Sequence, residues 1–357
     1  MKTKLKDCCT FIDYRGKTPE KSEYGYRLIT AKNVKPFGFV DEPREYIPKE
    51  NYSKVMVRGI PNEGDILFTT EAPLGNVALI PHFKEPFAIG QRLLVIQPNK
   101  NVVDSKYLLY YLQSNEFKKL LQKNSSGSTV TGIRSKELVE LELSIPELEV
   151  QKKIANRLEI LNNVIKLKSQ EASLIDNLVK SRFIELFGDK YETRTLESVC
   201  EELFAGGDVK KDISSDIQSE EHPYPIYTNG EKNNGLYGYT SKARVTKEAV
   251  TISGRGTIGF TCLRKEPFYP AVRLIVAVPN QELVSGCYLQ HFIQSKNYGG
   301  QGASIPQLTV PMIKDELVPV PPMELQSQFS TFVEQTDKSK FSGCSSLLLI
   351  IQIMGLY

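Results

Sequence analysis

The sequence predicts an α+β protein: two similar globules of short strands and a few helices, separated by long helices of the coiled-coil-forming kind. Three observations carry this reading. The chain repeats itself in four ordered blocks. Each copy alternates brief apolar, β-rich runs with turn signals. After the first copy, residues 149–187 contain neither glycine nor proline.

The repeat comes first because it sets the domain plan. LKDCCTFIDYRGK (5–17) matches LESVCEELFAGGD (196–208), and LGNVALIPHFKEPFAIGQRLLVI (74–96) matches IGFTCLRKEPFYPAVRLIVAV (258–278). YLLYYLQSNEF (107–117) matches YLQHFIQSKNY (288–298), and the block at 127–155 matches that at 302–330. The order is kept while the offset drifts only from 191 to 175. That is a duplicated domain, with a period far beyond that of a solenoid.

Within each copy the strands are short. ILFTT (66–70), RLLVIQP (92–98) and RLIVAVP (273–279) are apolar, β-rich and followed by proline, and ELELSIP (140–146) is a closing strand. Residues 107–123 carry apolar side chains at helical spacing and read as one helix. The run 149–187 follows Pro146 and precedes Gly188, which are start and stop signals. Ile154, Leu158, Leu161, Ile165, Ala172, Ile175, Val179 and Leu186 form a 3,4-spaced seam, interrupted by Lys168 and Arg182. A seam this long exceeds what one such globule can cover, so an antiparallel or partner-facing coiled coil is expected. It would span roughly 60 Å. The expected domains are therefore 1–147, a helical spacer at 148–189, 190–322, the start of a second helix at 323–341, and a tail at 342–357.

Bulk composition excludes several classes. The 357 residues suit about two domains at ~150 residues each. A composition of 40% hydrophobic and 24% charged residues is that of a soluble globular chain. The net charge of +3 excludes a polybasic protein and leaves basic surface only locally. Cys8, Cys9, Cys200, Cys262, Cys287 and Cys344 form no C-x-x-C pair, so they read as reduced, mostly buried thiols and give no zinc site. MKTKLKDCC lacks the apolar core of a secretory signal. The most apolar run, LLLIIQIMGLY, is about half the ~20 residues a membrane span needs. The expected location is the cytoplasm, with no membrane contact, no metal and no cofactor.

Gly16-Lys17-Thr18 raises the question of a phosphate-binding loop. That loop needs a glycine where Phe11 stands, and Thr18-Pro19 opposes the helix that should follow. The repeat aligns the triplet with Gly207-Asp208-Val209, so what the copies share is a turn glycine after a strand.

A proline with a leucine and a glutamine shortly after it opens both helices, as Pro146-Glu147-Leu148-Glu149-Val150-Gln151 and again as Pro322-Met323-Glu324-Leu325-Gln326. With the duplicated domains, and with GDILFTTEAPLGNVALI (64–80) and DYRGKTP (13–19), this resembles the type I restriction–modification specificity subunit over residues 1 to about 341. The resemblance implies two target recognition domains, each reading one half of a bipartite, asymmetric sequence in double-stranded DNA. It implies helices that fix half-site spacing and dock two methyltransferase subunits, with motor-nuclease subunits adding restriction. It also implies a chain with no catalytic centre. Consistently, there is no N-P-P-[YF] or D-P-P-[YF] base-holding loop, and His82, His222 and His291 are isolated. An enzyme with unrecognised catalytic residues and an inactive scaffold are the alternatives.

Recognition domains need phosphate contacts for register and base contacts for sequence. The candidates are polar, Gly-containing loops between the shared apolar blocks. In the first copy they supply Arg15, Lys17, Thr18, Lys32, Asn33, Thr70, Glu71, Ser125, Ser128 and Thr131. In the second they supply Tyr227, Asn229, Lys232, Asn233, Arg255, Gln301 and Ser304. Arg92 and Arg273 recur in both copies. They therefore suit structure or a phosphate, since base readers should differ between copies that read different half-sites.

One region departs from the family pattern. The second helix should mirror the first from Glu324 onward, but no charged residue follows Lys340. The tail reads as a truncated or frame-shifted end or a recombination joint, or as a short natural element packed on a partner.

Overall fold

The structure is a computed structural model. It describes residues 2–14, 19–36, 38–125, 132–188, 191–208, 214–296, 298 and 307–353, with side chains as far as residue 340. The chain divides into two compact units, residues 1–164 and 165–357.

The first unit opens with β1 (Lys2–Lys4), β2 (Cys9–Asp13), β3 (Tyr26–Ile29) and β4 (Glu45–Ile47). There follow β5 (Ile66–Thr69), β6 (Val77–Leu79), β7 (Phe87–Ile89) and β8 (Leu93–Pro98). Then come α1 (Ser105–Gln113), α2 (Asn115–Lys123), β9 (Glu142–Ser144) and the long α3 (Leu148–Phe187). The central sheet has the order β2-β8-β5-β6, all antiparallel, with Ile12 opposite Val95 and Ile96 opposite Ile66. A second sheet, β4-β3-β7, contains a parallel β3–β7 pair. The clasp β1–β9 ties the start of the copy to its end.

The central strands are apolar at consecutive positions because both faces are covered. Ile66, Phe68, Leu94 and Ile96 face a core with the helices, while Leu67, Leu93 and Val95 face a second core with Leu28, Ile29 and Ile89.

The second unit rebuilds this plan with β10 (Thr193–Thr195), β11 (Cys200–Ala205), β12 (Ser214–Ser215), β13 (Tyr224–Tyr227) and β14 (Leu236–Thr240). It continues through β15 (Ala249–Ile252), β16 (Thr261–Arg264), β17 (Tyr269–Pro270), β18 (Ile275–Pro279), α4 (Gly286–Ser295), β19 (Leu317–Pro319) and α5 (Met323–Ile353). Its central sheet is β11-β18-β15-β16, its second sheet β12-β14-β13-β17 and its clasp β10–β19. The parallel pair recurs as β13–β17. The register shifts between Cys200 and Glu202 in β11 and between Ile226 and Tyr227 in β13.

Three expectations need correction. Residues 107–123 are two helices, because the Ser114 side chain accepts a hydrogen bond from the Phe117 amide and so caps α2 as α1 ends. On the expected seam of α3, Leu161, Ala172 and Ile175 are half-buried and Ile165 is 43% exposed. Ile154 packs on the first unit's own core rather than on another long helix. The cysteines divide as well, with Cys8 and Cys9 buried and Cys200, Cys262 and Cys287 half-buried.

The second half of α3 packs in the second unit, where α5 runs against it in the opposite direction. Phe329 of α5 lies 5.4 Å from Phe183 and 5.5 Å from Phe187, ring to ring. A few turns along, Lys340 pairs with Asp176. The α5 backbone stays helical to Ile353. Among the described residues no helix is long and apolar enough to cross a membrane.

His291 of α4 sits in this aromatic cluster, 5.1 Å from the Phe329 ring. Burial, with Lys340 nearby, lowers its pKa to about 4. The unfolded chain, with a histidine pKa of about 6.5, takes up the proton first. Stability from the neutral imidazole is therefore complete above that value and falls as pH drops towards about 4. The expected loss in the second unit is at most ~3 kcal/mol. Denaturation of the chain and of His291→Gln across this range checks it: the variant should lack that part of the pH dependence.

Candidate nucleic-acid interface

The same loop constellation is built once in each unit. In the first, the β5–β6 hairpin turns through residues 70–76. The Gly75 amide donates to the Thr69 carbonyl (2.9 Å) and the Thr69 amide to the Asn76 carbonyl (2.9 Å). In the second, Gly259 donates to Ser253 (2.9 Å) and Ser253 to Phe260 (2.8 Å). Gly75 and Gly259 have φ of 85° and 83°, a left-handed backbone that glycine adopts without steric cost. A second segment crosses the hairpin in both units: Ile133 donates to the Thr70 carbonyl (3.1 Å) and Leu308 to the Gly254 carbonyl (2.8 Å). Glu71 and Arg255 thus occupy equivalent places at the hairpin tip.

Beside each tip, an arginine leads into the strand that pairs with the hairpin. Arg92 has φ 70° and Arg273 has φ 60°. A non-glycine residue held left-handed costs roughly 1–2 kcal/mol, and it is present in both units. In the first unit Arg92 Nε lies 3.2 Å from Glu71 Oε1. In the second, Arg255 donates through Nε (3.2 Å) and Nη2 (2.8 Å) to Gln307 Oε1, and Arg273 Nη1 donates to the same oxygen at 3.4 Å. Two like charges are therefore held around one amide oxygen. Gln307 was not singled out in the sequence; its signal is that it stands where the first copy has Gly132.

Several sequence candidates prove to be scaffold. Asn33 is fully buried; its Oδ1 accepts from the Thr30 amide, and its Nδ2 donates to the carbonyls of Val40 and Pro43. Thr70 is 2% exposed and donates through its amide and hydroxyl to the Arg92 carbonyl. Ser125 hydrogen-bonds back to the Gln122 carbonyl at the end of α2. Tyr227 is buried, with its hydroxyl donating to Glu266 (2.7 Å) and the Arg264 guanidinium 3.5 Å above its ring. Burial pushes the Tyr227 phenol up to about 12. The polar groups of Asn33, Thr70 and Tyr227 are taken up inside the unit.

Asn229 positions the second hairpin. Its Oδ1 accepts from the Gly254 amide (2.7 Å) and its Nδ2 donates to the Val272 carbonyl (2.5 Å). Lys32 is exposed and pairs with Glu45 (3.0 Å). Lys232 and Asn233 are exposed, with Asn233 left-handed at φ 51°. Arg264, which the sequence reading passed over, also donates to the Asn234 carbonyl and anchors that turn. Arg15, Lys17, Thr18, Ser128, Thr131, Gln301 and Ser304 lie outside the described residues. Gly207 bridges to Ala271 in the second unit, which is close strand approach and no phosphate cradle. Among the described residues no group of three or more His, Cys, Asp or Glu side chains could hold a metal ion.

The family model for the type I restriction modification DNA specificity domain matches residues 1–177 and 188–342. The chain is 28% identical to a Mycoplasma pneumoniae protein named as type I specificity subunit S.MpnORF507P, over 57% of this chain and 57% of that one. It thus spans little more than half of that relative. It is 23% identical to the type I restriction enzyme MjaIX specificity subunit of Methanocaldococcus jannaschii, over 91% of this chain and 83% of that one. Among solved structures, the S subunit of a type I restriction-modification system from M. genitalium superposes with a TM-score of 0.61 at 16% identity, covering 100% of this chain and 94% of that one. A chain from a structure of type I system assembly superposes at 0.57, also at 16% identity, covering 99% and 95%. At these identities the superpositions show a shared fold.

Proposed function

This chain belongs to the type I restriction modification DNA specificity family, and from that premise we propose that it is the non-catalytic subunit that directs such a complex to its DNA sequence. Each unit reads one half of a bipartite target in double-stranded DNA, with 1–147 and 190–322 as the recognition domains. The helices α3 and α5 set the distance between the half-sites. The exposed Leu167, Leu174 and Leu178 on α3 are spaced seven and four residues apart. They suit the docking of helical partners, here two methyltransferase subunits joined by motor-nuclease subunits. The complex works in the cytoplasm, where its DNA is.

One observation carries the reading. A hairpin with the same backbone hydrogen bonds and the same left-handed glycine and arginine stands on the same sheet order in both units, while the side chain at its tip changes from Glu71 to Arg255. A map of methylated bases in cells with this gene intact and deleted tests it. Deletion should remove one split motif. An unchanged map with the partner subunits present would sink the proposal.

The paired arginines have a separate expectation. Arg92→Ala and Arg273→Ala should each weaken binding evenly across sequences and lower the salt dependence by about one counterion, as loss of a phosphate contact does. A change in base preference in a selection at fixed salt would contradict this.

A further inference from the structure

Position 71/255 is where the two units agree in backbone and invert in charge. Glu71 and Arg255 each lie four residues before the left-handed glycine of the turn, Gly75 or Gly259. Each follows a residue whose carbonyl accepts the crossing amide, from Ile133 or Leu308. What changes is the side chain, from carboxylate to guanidinium, and with it the company it keeps. Glu71 pairs with Arg92, whereas Arg255 and Arg273 converge on Gln307.

Both tip side chains are exposed or half-exposed, so these intramolecular partners are held in water and exchange readily for a ligand. The neighbouring arginine is constant in type, backbone and placement, as a phosphate anchor common to both half-sites should be. The tip is variable in chemistry at constant geometry, as a reader of two unlike half-sites should be.

We infer, on the strength of the sequence-specificity reading above, that Arg255 reads a guanine in one half-site and Glu71 reads a cytosine in the other. A guanidinium presents two donors in one plane, matching the O6 and N7 acceptors of guanine. A carboxylate only accepts, so it needs an exocyclic amine. Cytosine and adenine both offer one in the major groove, but adenine sets its N7 acceptor beside the amine, where it repels a carboxylate. Cytosine N4 has no such neighbour on that edge. Gln307 then acts as a rest that holds Arg255 in place before the base is met.

The test uses the whole complex in cells, read as a map of methylated bases for Glu71→Gln, Arg255→Ala and Arg255→Gln. Arg255→Ala should relax one guanine position in one half of the split motif, with discrimination there falling on the order of tenfold to a hundredfold, and should leave the other half untouched. Arg255→Gln should move that position towards adenine, which glutamine pairs with through two hydrogen bonds. Glu71→Gln should move one cytosine towards adenine in the opposite half. If Arg255→Ala fails to accumulate as soluble chain, Arg255→Gln carries the same test.

An unchanged motif in soluble variants overturns the inference. So does an even loss of methylation at all sites, which marks a phosphate contact, and so does relaxation of the same half by both positions. Absence of any split motif with the unaltered chain overturns the sequence-specificity reading, and this inference with it. An intact motif that the variants do not move overturns this inference alone.

Discussion

Gln151→Leu should destabilise the first unit by about 3–5 kcal/mol, and Gln326→Leu the second by as much. The glutamine five residues after a proline, Pro146 or Pro321, is fully buried in both copies. Gln151 Oε1 accepts from the Asp104 amide (2.9 Å), and its Nε2 donates to the carbonyls of Val102 (3.0 Å) and Pro146 (2.8 Å). Gln326 repeats this with the Ser285 amide (2.7 Å) and the carbonyls of Leu283 (2.9 Å) and Pro321 (2.9 Å). Asp104 and Ser285 in turn cap α1 and α4. One amide thus joins the start of a long helix to the cap of a short one. Leucine preserves bulk but strands one N–H and two C=O groups, each costing about 1–3 kcal/mol when left without a partner. Hydrogen exchange resolves the units, since one global unfolding energy is ill-defined for a chain of two domains. Protection of the Tyr107 amide should fall in Gln151→Leu and that of Tyr288 in Gln326→Leu, each without effect on the other. Protection unchanged in either variant would show that the network contributes little.

Phe329→Ala should cost about 3–5 kcal/mol, the usual range for emptying a buried aromatic site. Phe329 is fully buried and touches the rings of Phe183, Phe187 and His291. Through it α5 is held to α3 and α4 at once. The ion pair between Asp176 and Lys340 is exposed on the aspartate side and worth under ~1 kcal/mol, so it cannot hold α5 in place unaided. Exchange should rise along residues 323–340 and along the second half of α3, with the first unit unaffected. If the two helices set half-site spacing, methylation should fall at every site together and the bases of each half-site should not change. A changed half-site sequence with undiminished methylation would contradict that role.

Much of the fold was legible because its signals are local or repetitive. The duplication, the strands before Pro98 and Pro279, and the glycine-free helix 149–187 follow from periodicity, turn residues and β-rich runs that any short window displays. Ser114 was legible in principle, since a serine three residues before Phe117 with Asn115 and Glu116 between is a cap. The continuous apolar spacing across it hid the break. What covers the α3 seam was not legible, because a 3,4 pattern marks an apolar face without naming its partner.

The interface divides along the same line. By itself the sequence determined that there are two copies, that Arg92 and Arg273 are common to them, and that the loops between the shared apolar blocks differ. It could also mark Gln151 and Gln326 as a motif, though not say what they hold. Only the tertiary structure decided which loop residues keep their polar atoms free. Asn33, Thr70 and Tyr227 look like surface readers in a window of sequence, and partners up to 39 residues away take up their hydrogen bonds. Gln307 meets Arg255 across 52 residues and Arg273 across 34. Local pattern fixes where a chain turns, because turns depend on φ and ψ at a few residues. The partner of a polar side chain is set by which distant segments the core brings alongside it, and no window of sequence contains them both.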